Sequence, residues 1–101
     1  METNIKTENT KLSVSIKGRV DTQTAPKLET DVLSKLDGIS ELELDLTDMS
    51  YISSAGLRVL LICQKKMNAV SGKMVVKNPN EMVMEIFDVT GFSDIFTIEN
   101  D

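Results

Sequence analysis

Histidine and tryptophan are absent from this 101-residue chain, cysteine occurs once, and aromatic side chains make up only 4% of it. Lack of His removes the commonest general base and the commonest zinc ligand together. The lone thiol, Cys63, can form no intrachain disulfide, and its place in an apolar helical pattern marks it as core filling in a reducing compartment. So few aromatics leave a core built from Leu, Ile, Val and Met. Positive charge is also scarce: 11 Lys and Arg stand against 16 Asp and Glu, a net charge of −5. Nucleic acid and anionic membrane surfaces both demand clustered cations, so neither is expected as a partner. No apolar run approaches the roughly 20 residues of a spanning helix, and Met1–Asn9 lacks the apolar core of a signal peptide. The expected location is the cytoplasm.

What is present is an ordinary globular composition, 41% hydrophobic and 27% charged, in a length that suits one domain over residues 1–101. Asn4–Thr7 reads as a short edge strand, Asn9-Thr10 as a turn, and Leu12, Val14 and Ile16 alternate with polar residues as in a half-buried strand. Gly18 ends that strand. Thr22 or Thr24 can cap a helix with Pro26 in its first turn and Leu28, Val32, Leu33 and Leu36 on its core face, stopped at Asp37-Gly38. Leu42, Leu44 and Leu46 then alternate with Glu41, Glu43 and Asp45, a strand with one solvated acidic face. A loop spans Thr47 to Ile52. A second helix runs to about Val70 and stops at Ser71-Gly72, followed by a strand over Lys73–Lys77. Asn78-Pro-Asn80 caps a third helix carrying Met82, Val83, Ile86 and Phe87, closed by Gly91, before a last strand at Asp94–Ile98 and a frayed acidic end. Strand and helix alternate, so the fold class is α/β. The expected architecture is a mixed, mostly parallel sheet of four to five strands, with three or more helices packed mainly on one face.

The chemistry converges on Asp45–Leu61, where an apolar strand passes through a polar loop and the pair Ser53-Ser54 into an apolar helix. A helix starting there directs unpaired N–H groups at the serines and favours an anion. A serine hydrolase fails on inventory, because there is no His and Ile52 occupies the first glycine position of Gly-x-Ser-x-Gly. Spacing for a metal or cofactor site is absent as well, so neither a metal nor a cofactor is expected, and the chain is not expected to be an enzyme. An N-cap is the bland role of either serine. Steps of 100° per residue place Ser54, Leu57, Arg58 and Leu61 on one face, suited to docking a partner. Gly56, Val59, Leu60, Cys63, Met67 and Val70 form the core stripe, with Gly56 allowing close approach to the sheet.

Gly18-Arg-Val-Asp21, the stretch from Asp45 to Leu60 and Lys73-Met-Val-Val together resemble the STAS domain family, specifically bacterial anti-sigma factor antagonists. The likeness covers nearly the whole chain. It implies a partner switch: the unphosphorylated antagonist binds an anti-sigma factor that is also its serine kinase, the sigma factor is freed, and a PP2C-type phosphatase resets the cycle. By position the resemblance makes Ser54 the phosphoacceptor, with Ser53 the second choice, and matches Gly18 and Asp21 to the family's loop near that serine; together with the helix face, the expected partner contacts are Gly18, Asp21, Ser53, Gly56, Leu57, Arg58 and Leu61. The family's usual loop has Asp directly before the phosphorylated serine, where this chain has Ser53. STAS domains without a phosphoacceptor serve transporters or larger signalling complexes, the alternative role. Phosphate on Ser54 would add about −1.5 to −2 charges to a partner surface expected, from the net charge, to be acidic already.

Overall fold

The computed structural model describes residues 1–101. Strand β1 (Glu2–Glu8) and strand β2 (Lys11–Val20) form a hairpin over Asn9-Thr10, where Asn9 takes the left-handed conformation that a two-residue turn requires (φ 55°). The chain continues through α1 (Ala25–Leu33), β3 (Glu41–Asp45), β4 (Met49–Ile52), α2 (Ser54–Ala69), β5 (Lys73–Lys77), α3 (Glu81–Thr90), a 3-10 turn at Phe92–Asp94, and β6 (Thr97–Glu99). The sheet has six strands, one more than the upper expectation, because the loop over Thr47 to Ile52 contains β4.

Along the sheet the order is β1-β2-β3-β5-β6, and only the β1–β2 pair is antiparallel. Strand β2 serves two partners in turn. Lys11–Ser15 pair with β3, and beyond Gly18 the strand pairs in parallel with β4 after a shift of register. That shift accounts for the length of β2 and creates a short platform at its far end.

Alternation sets the core. Leu12, Val14 and Ile16 of β2, Leu42 and Leu44 of β3, and Met74 and Val76 of β5 point to the helix-covered side, where they join Leu28, Val32, Leu60, Met67, Val83 and Phe87. On the other side Lys11 bridges Glu41 and Glu43, and Lys77 bridges Glu43 and Asp101, so the acidic residues of β3 are interleaved with lysines.

The ends of the elements differ from the sequence expectation at several places. Strand β1 spans Glu2–Glu8 rather than Asn4–Thr7, and Gly18 does not end β2, which runs on to Val20 by pairing with β4. Thr24 occupies the N-cap position of α1 but gives no side-chain cap, since its hydroxyl accepts from Asp21 N–H at 2.9 Å instead. Helix α1 ends at Leu33, short of Gly38, although Leu36 still packs on the core. The last strand begins at Thr97, not Asp94, because Phe96 is drawn into an aromatic cluster, stacked on Phe92 at 5.4 Å and edge-on to Phe87 at 5.5 Å. The C-terminal end is not frayed: Asn78 N–H donates to the Glu99 carbonyl at 3.0 Å, and Asp101 N–H donates to Asn78 Oδ1 at 2.8 Å.

Candidate functional site

The serine pair is fixed by the platform beneath it. Val20 faces Ile52 in the β2–β4 register, and one residue further Ser53 N–H donates to the Val20 carbonyl at 2.8 Å. Ser53 is still extended (φ −90°, ψ 175°), its carbonyl accepts from Leu57 N–H at 2.9 Å, and its Oγ accepts from Gly56 N–H at 3.3 Å. It is therefore the N-cap of α2. Ser54, the first helical residue, is exposed and its hydroxyl takes part in no hydrogen bond. The two adjacent hydroxyls thus differ: one is engaged by the helix end, the other is free.

Gly56 lies where the first turn of α2 meets the sheet. A Cβ there would sit 2.7 Å from Ile52 Cγ1 and 2.8 Å from Val20 Cγ1, so the close approach expected of this glycine is present. That approach beds the helix deeply, and the buried arc widens beyond the predicted stripe to take in Leu57 and Gln64. Leu57 is only 4% exposed and belongs to the core. Its expected place on the outer docking face is corrected accordingly. Val70, expected in the core, is 63% exposed because it caps the C-terminus of α2 after the helix has run past the sheet. Of the predicted outer face, Ser54 and Arg58 are exposed and Leu61 is half-buried.

The Gly18–Asp21 segment is brought to the same end of the molecule. Gly18 has φ +90° and donates its N–H to the Asp48 carbonyl at 2.9 Å, at the point where β2 changes partner. It pairs with Met49 at the start of β4, so it shapes the platform, while Asp21 follows Val20 at the serine end. The Arg19 guanidinium lies 4.2 Å over the Tyr51 ring, and its Nε is 3.4 Å from Asp21 Oδ2. Asp21 Oδ1 accepts from Gln23 N–H at 2.9 Å and Thr24 N–H at 3.0 Å. The Thr24 N–H does most to hold this carboxyl below its ordinary value of 3.8, against partial burial, with help from Gln23 N–H and the Arg19 charge.

Two further contributors escape sequence reading. Arg19 and Tyr51 meet only because β4 exists, and no local pattern announces that strand. Asn80 caps α3 as expected, with Oδ1 accepting from Val83 N–H at 2.8 Å, but its Nδ2 also donates to the Met49 carbonyl at 2.9 Å and ties α3 to β4.

Helix α2 carries Arg58, Lys65 and Lys66 and no carboxylate, in a chain of net charge −5, while the Asp21 loop and Glu29 bring negative charge beside Arg58. Between α1 and α2 runs an open groove of about 420 Å³, lined in part by Thr22, Pro26, Glu29, Ala55 and Arg58. Cys63 lies beneath, with its thiol pushed up to about 12 by burial first and the Glu29 charge second, so it is a neutral core side chain. No helix is long and apolar enough to cross a membrane.

Comparison with known proteins agrees with this geometry. The family model described as STAS domain matches residues 2–101. The chain is 37% identical over 90 residues to BtrV of Bordetella bronchiseptica, a candidate anti-sigma factor antagonist, covering 88% of this chain and 78% of that protein. It is 30% identical over 94 residues to the anti-sigma-B factor antagonist of Bacillus subtilis, covering 93% of this chain and 86% of the relative. Among solved structures, the anti-sigma factor antagonist SpoIIAA in its unphosphorylated form matches with a TM-score of 0.88 at 14% identity, over 99% of this chain and 88% of the other. The phosphorylated form of SpoIIAA from Bacillus matches with a TM-score of 0.81 at 13% identity, over 99% and 91% of the two chains.

Proposed function

We propose, on the premise that this chain belongs to the STAS domain family and within it to the anti-sigma factor antagonists, that its binding is switched by phosphorylation at Ser54. The unphosphorylated form binds an anti-sigma factor, and the sigma factor held by that protein is released. The anti-sigma factor is also the kinase: it transfers the γ-phosphoryl group of ATP to Ser54 Oγ, with ADP leaving and the hydroxyl proton passing to a base of the kinase. A PP2C-type phosphatase hydrolyses the phosphoserine and restores binding. All of this takes place in the cytoplasm.

The observation that supports Ser54 over Ser53 is the free, exposed hydroxyl at the first position of α2, beside a neighbour whose hydroxyl is engaged as the cap. Ser54, Arg58, the half-buried Leu61 and the Asp21 loop form the contact face. Gly18, Ser53, Gly56 and Leu57 act from below by fixing its shape. A phosphate brings about −1.5 to −2 charges into a contact that must lose water on docking. An unpaired charge buried at an interface costs about 2–5 kcal/mol, enough to move a partner from mostly bound to mostly free. The fold tolerates the dianion, because it stands in solvent at the positive end of the α2 dipole.

Intact-mass analysis of the protein isolated from its own cell tests the modification. One added phosphate that maps to Ser54 is expected. A phosphate on Ser53 alone, or none under any growth condition, contradicts the reading.

A further inference from the structure

Resting on the proposed phosphorylation of Ser54, a second role can be assigned to the residue one turn further along α2. Arg58 follows Ser54 by four positions on the same helix, the spacing at which side chains stand about 5–6 Å apart at Cβ, with the acidic member on the N-terminal side as the favourable arrangement requires. Both residues are exposed, and Arg58 forms no ion pair. The other nearby guanidinium is occupied, since Arg19 lies over Tyr51 and against Asp21. Glu29 of α1 lines the same groove as Arg58 but stands beyond ion-pair distance, and Lys65 and Lys66 sit on the far half of the helix. Arg58 is therefore an uncommitted cation one turn along α2 from Ser54 Oγ.

We propose that Arg58 is the internal counter-ion of phosphorylated Ser54, so that modification both adds negative charge to the docking face and withdraws the cation that this face otherwise offers to an acidic partner. A guanidinium suits the task, because its planar fork meets two phosphate oxygens at once. The switch is then more than repulsion. Before phosphorylation the face presents a positive group beside an apolar one, Arg58 beside Leu61. Afterwards the guanidinium folds back one turn onto the phosphate, and the partner loses an attraction in addition to meeting a charge.

The test installs phosphoserine at position 54 of the full chain by genetic-code expansion and follows its second ionisation by phosphorus NMR. Four proteins are compared at about 0.1 M ionic strength, where the screening length is about 10 Å: the otherwise unchanged chain, Arg58→Gln, Arg58→Lys and Lys65→Gln. Contact with Arg58 favours the dianion, so Arg58→Gln is expected to titrate about 0.3 pH unit higher than the unchanged chain, the size of an exposed pair at this spacing. Arg58→Lys is expected to recover part of the difference. Lys65→Gln removes the same charge roughly 16 Å along the helix, beyond the screening length, and is expected to change nothing. Superimposable curves for the unchanged chain and Arg58→Gln overturn the proposal, as does an equal shift from Lys65→Gln. Since the phosphate is built in, this outcome does not depend on any kinase or partner. Failure of the switch itself is read separately, as absence of phosphate from Ser54 in protein taken from the cell.

Discussion

Gly56 stands so close over Ile52 that a Cβ on the glycine would lie 2.7 Å from Ile52 Cγ1. Neither atom has room to withdraw, because Ile52 and the adjoining Val20 are both fully buried under the first turn of α2. The height of the serine pair above the sheet is set by this contact.

Gly56→Ala is expected to lift that turn. Overpacking costs about 1–3 kcal/mol, and the better helix propensity of Ala returns about 1, so a net loss of up to about 2 kcal/mol is predicted from urea unfolding. A gain in stability would show that α2 shifts freely on its platform.

Leu57 and Leu61 are predicted to separate stability from binding. Leu57→Ala empties a core position and should cost about 2–4 kcal/mol. Leu61→Ala, at the half-buried edge, should cost less than about 1.5 kcal/mol yet weaken partner binding several-fold. Thermal melts and a pull-down on both variants decide this, and the reverse pattern would return Leu57 to the outer face.

Asn80 performs two tasks that one substitution can divide. Asn80→Asp keeps the acceptor that caps α3 and replaces the donor to the Met49 carbonyl with a carboxylate oxygen that can only accept. A loss of about 1 kcal/mol is expected for Asp and about 2 for Ala. If Asp matches the unchanged protein, the tie between α3 and β4 contributes nothing to folding.

Asp21 makes stability depend on pH in a stated direction. Its carboxyl is held below 3.8, chiefly by Thr24 N–H. A depressed folded-state value stabilises the fold above the unfolded value, and that contribution is lost as the pH falls through the folded one. The stability gap between the unchanged protein and Asp21→Ala should be constant near neutrality and narrow only below pH 3.8. Narrowing that begins near pH 6 would assign the titration to another group.

Periodicity revealed every helix, and the caps at Ser53 and Asn80 and the stop at Gly91 lie where the residue types indicate. Strand β4 stayed hidden for a physical reason. Met49 and Ile52 are buried, three residues apart, and flank an exposed Ser50, so its four residues show no clean alternation. Its pairing depends on the register shift at Gly18, a long-range event. The outward position of Leu57 followed from an ideal wheel that took no account of how closely Gly56 brings the helix to the sheet. Which of the two serines caps α2 needed coordinates as well, because either residue type can cap and only geometry tells which hydroxyl is engaged.

In the proposed switch, one phosphate on Ser54 decides whether the partner stays. Isothermal titration of a candidate anti-sigma factor from the same cell, against the unmodified chain and the chain carrying phosphoserine at position 54, tests it most directly. Binding at least about 100-fold weaker for the phosphorylated chain is predicted, from roughly 3 kcal/mol of buried unpaired charge. Equal affinities for the two forms would contradict the account.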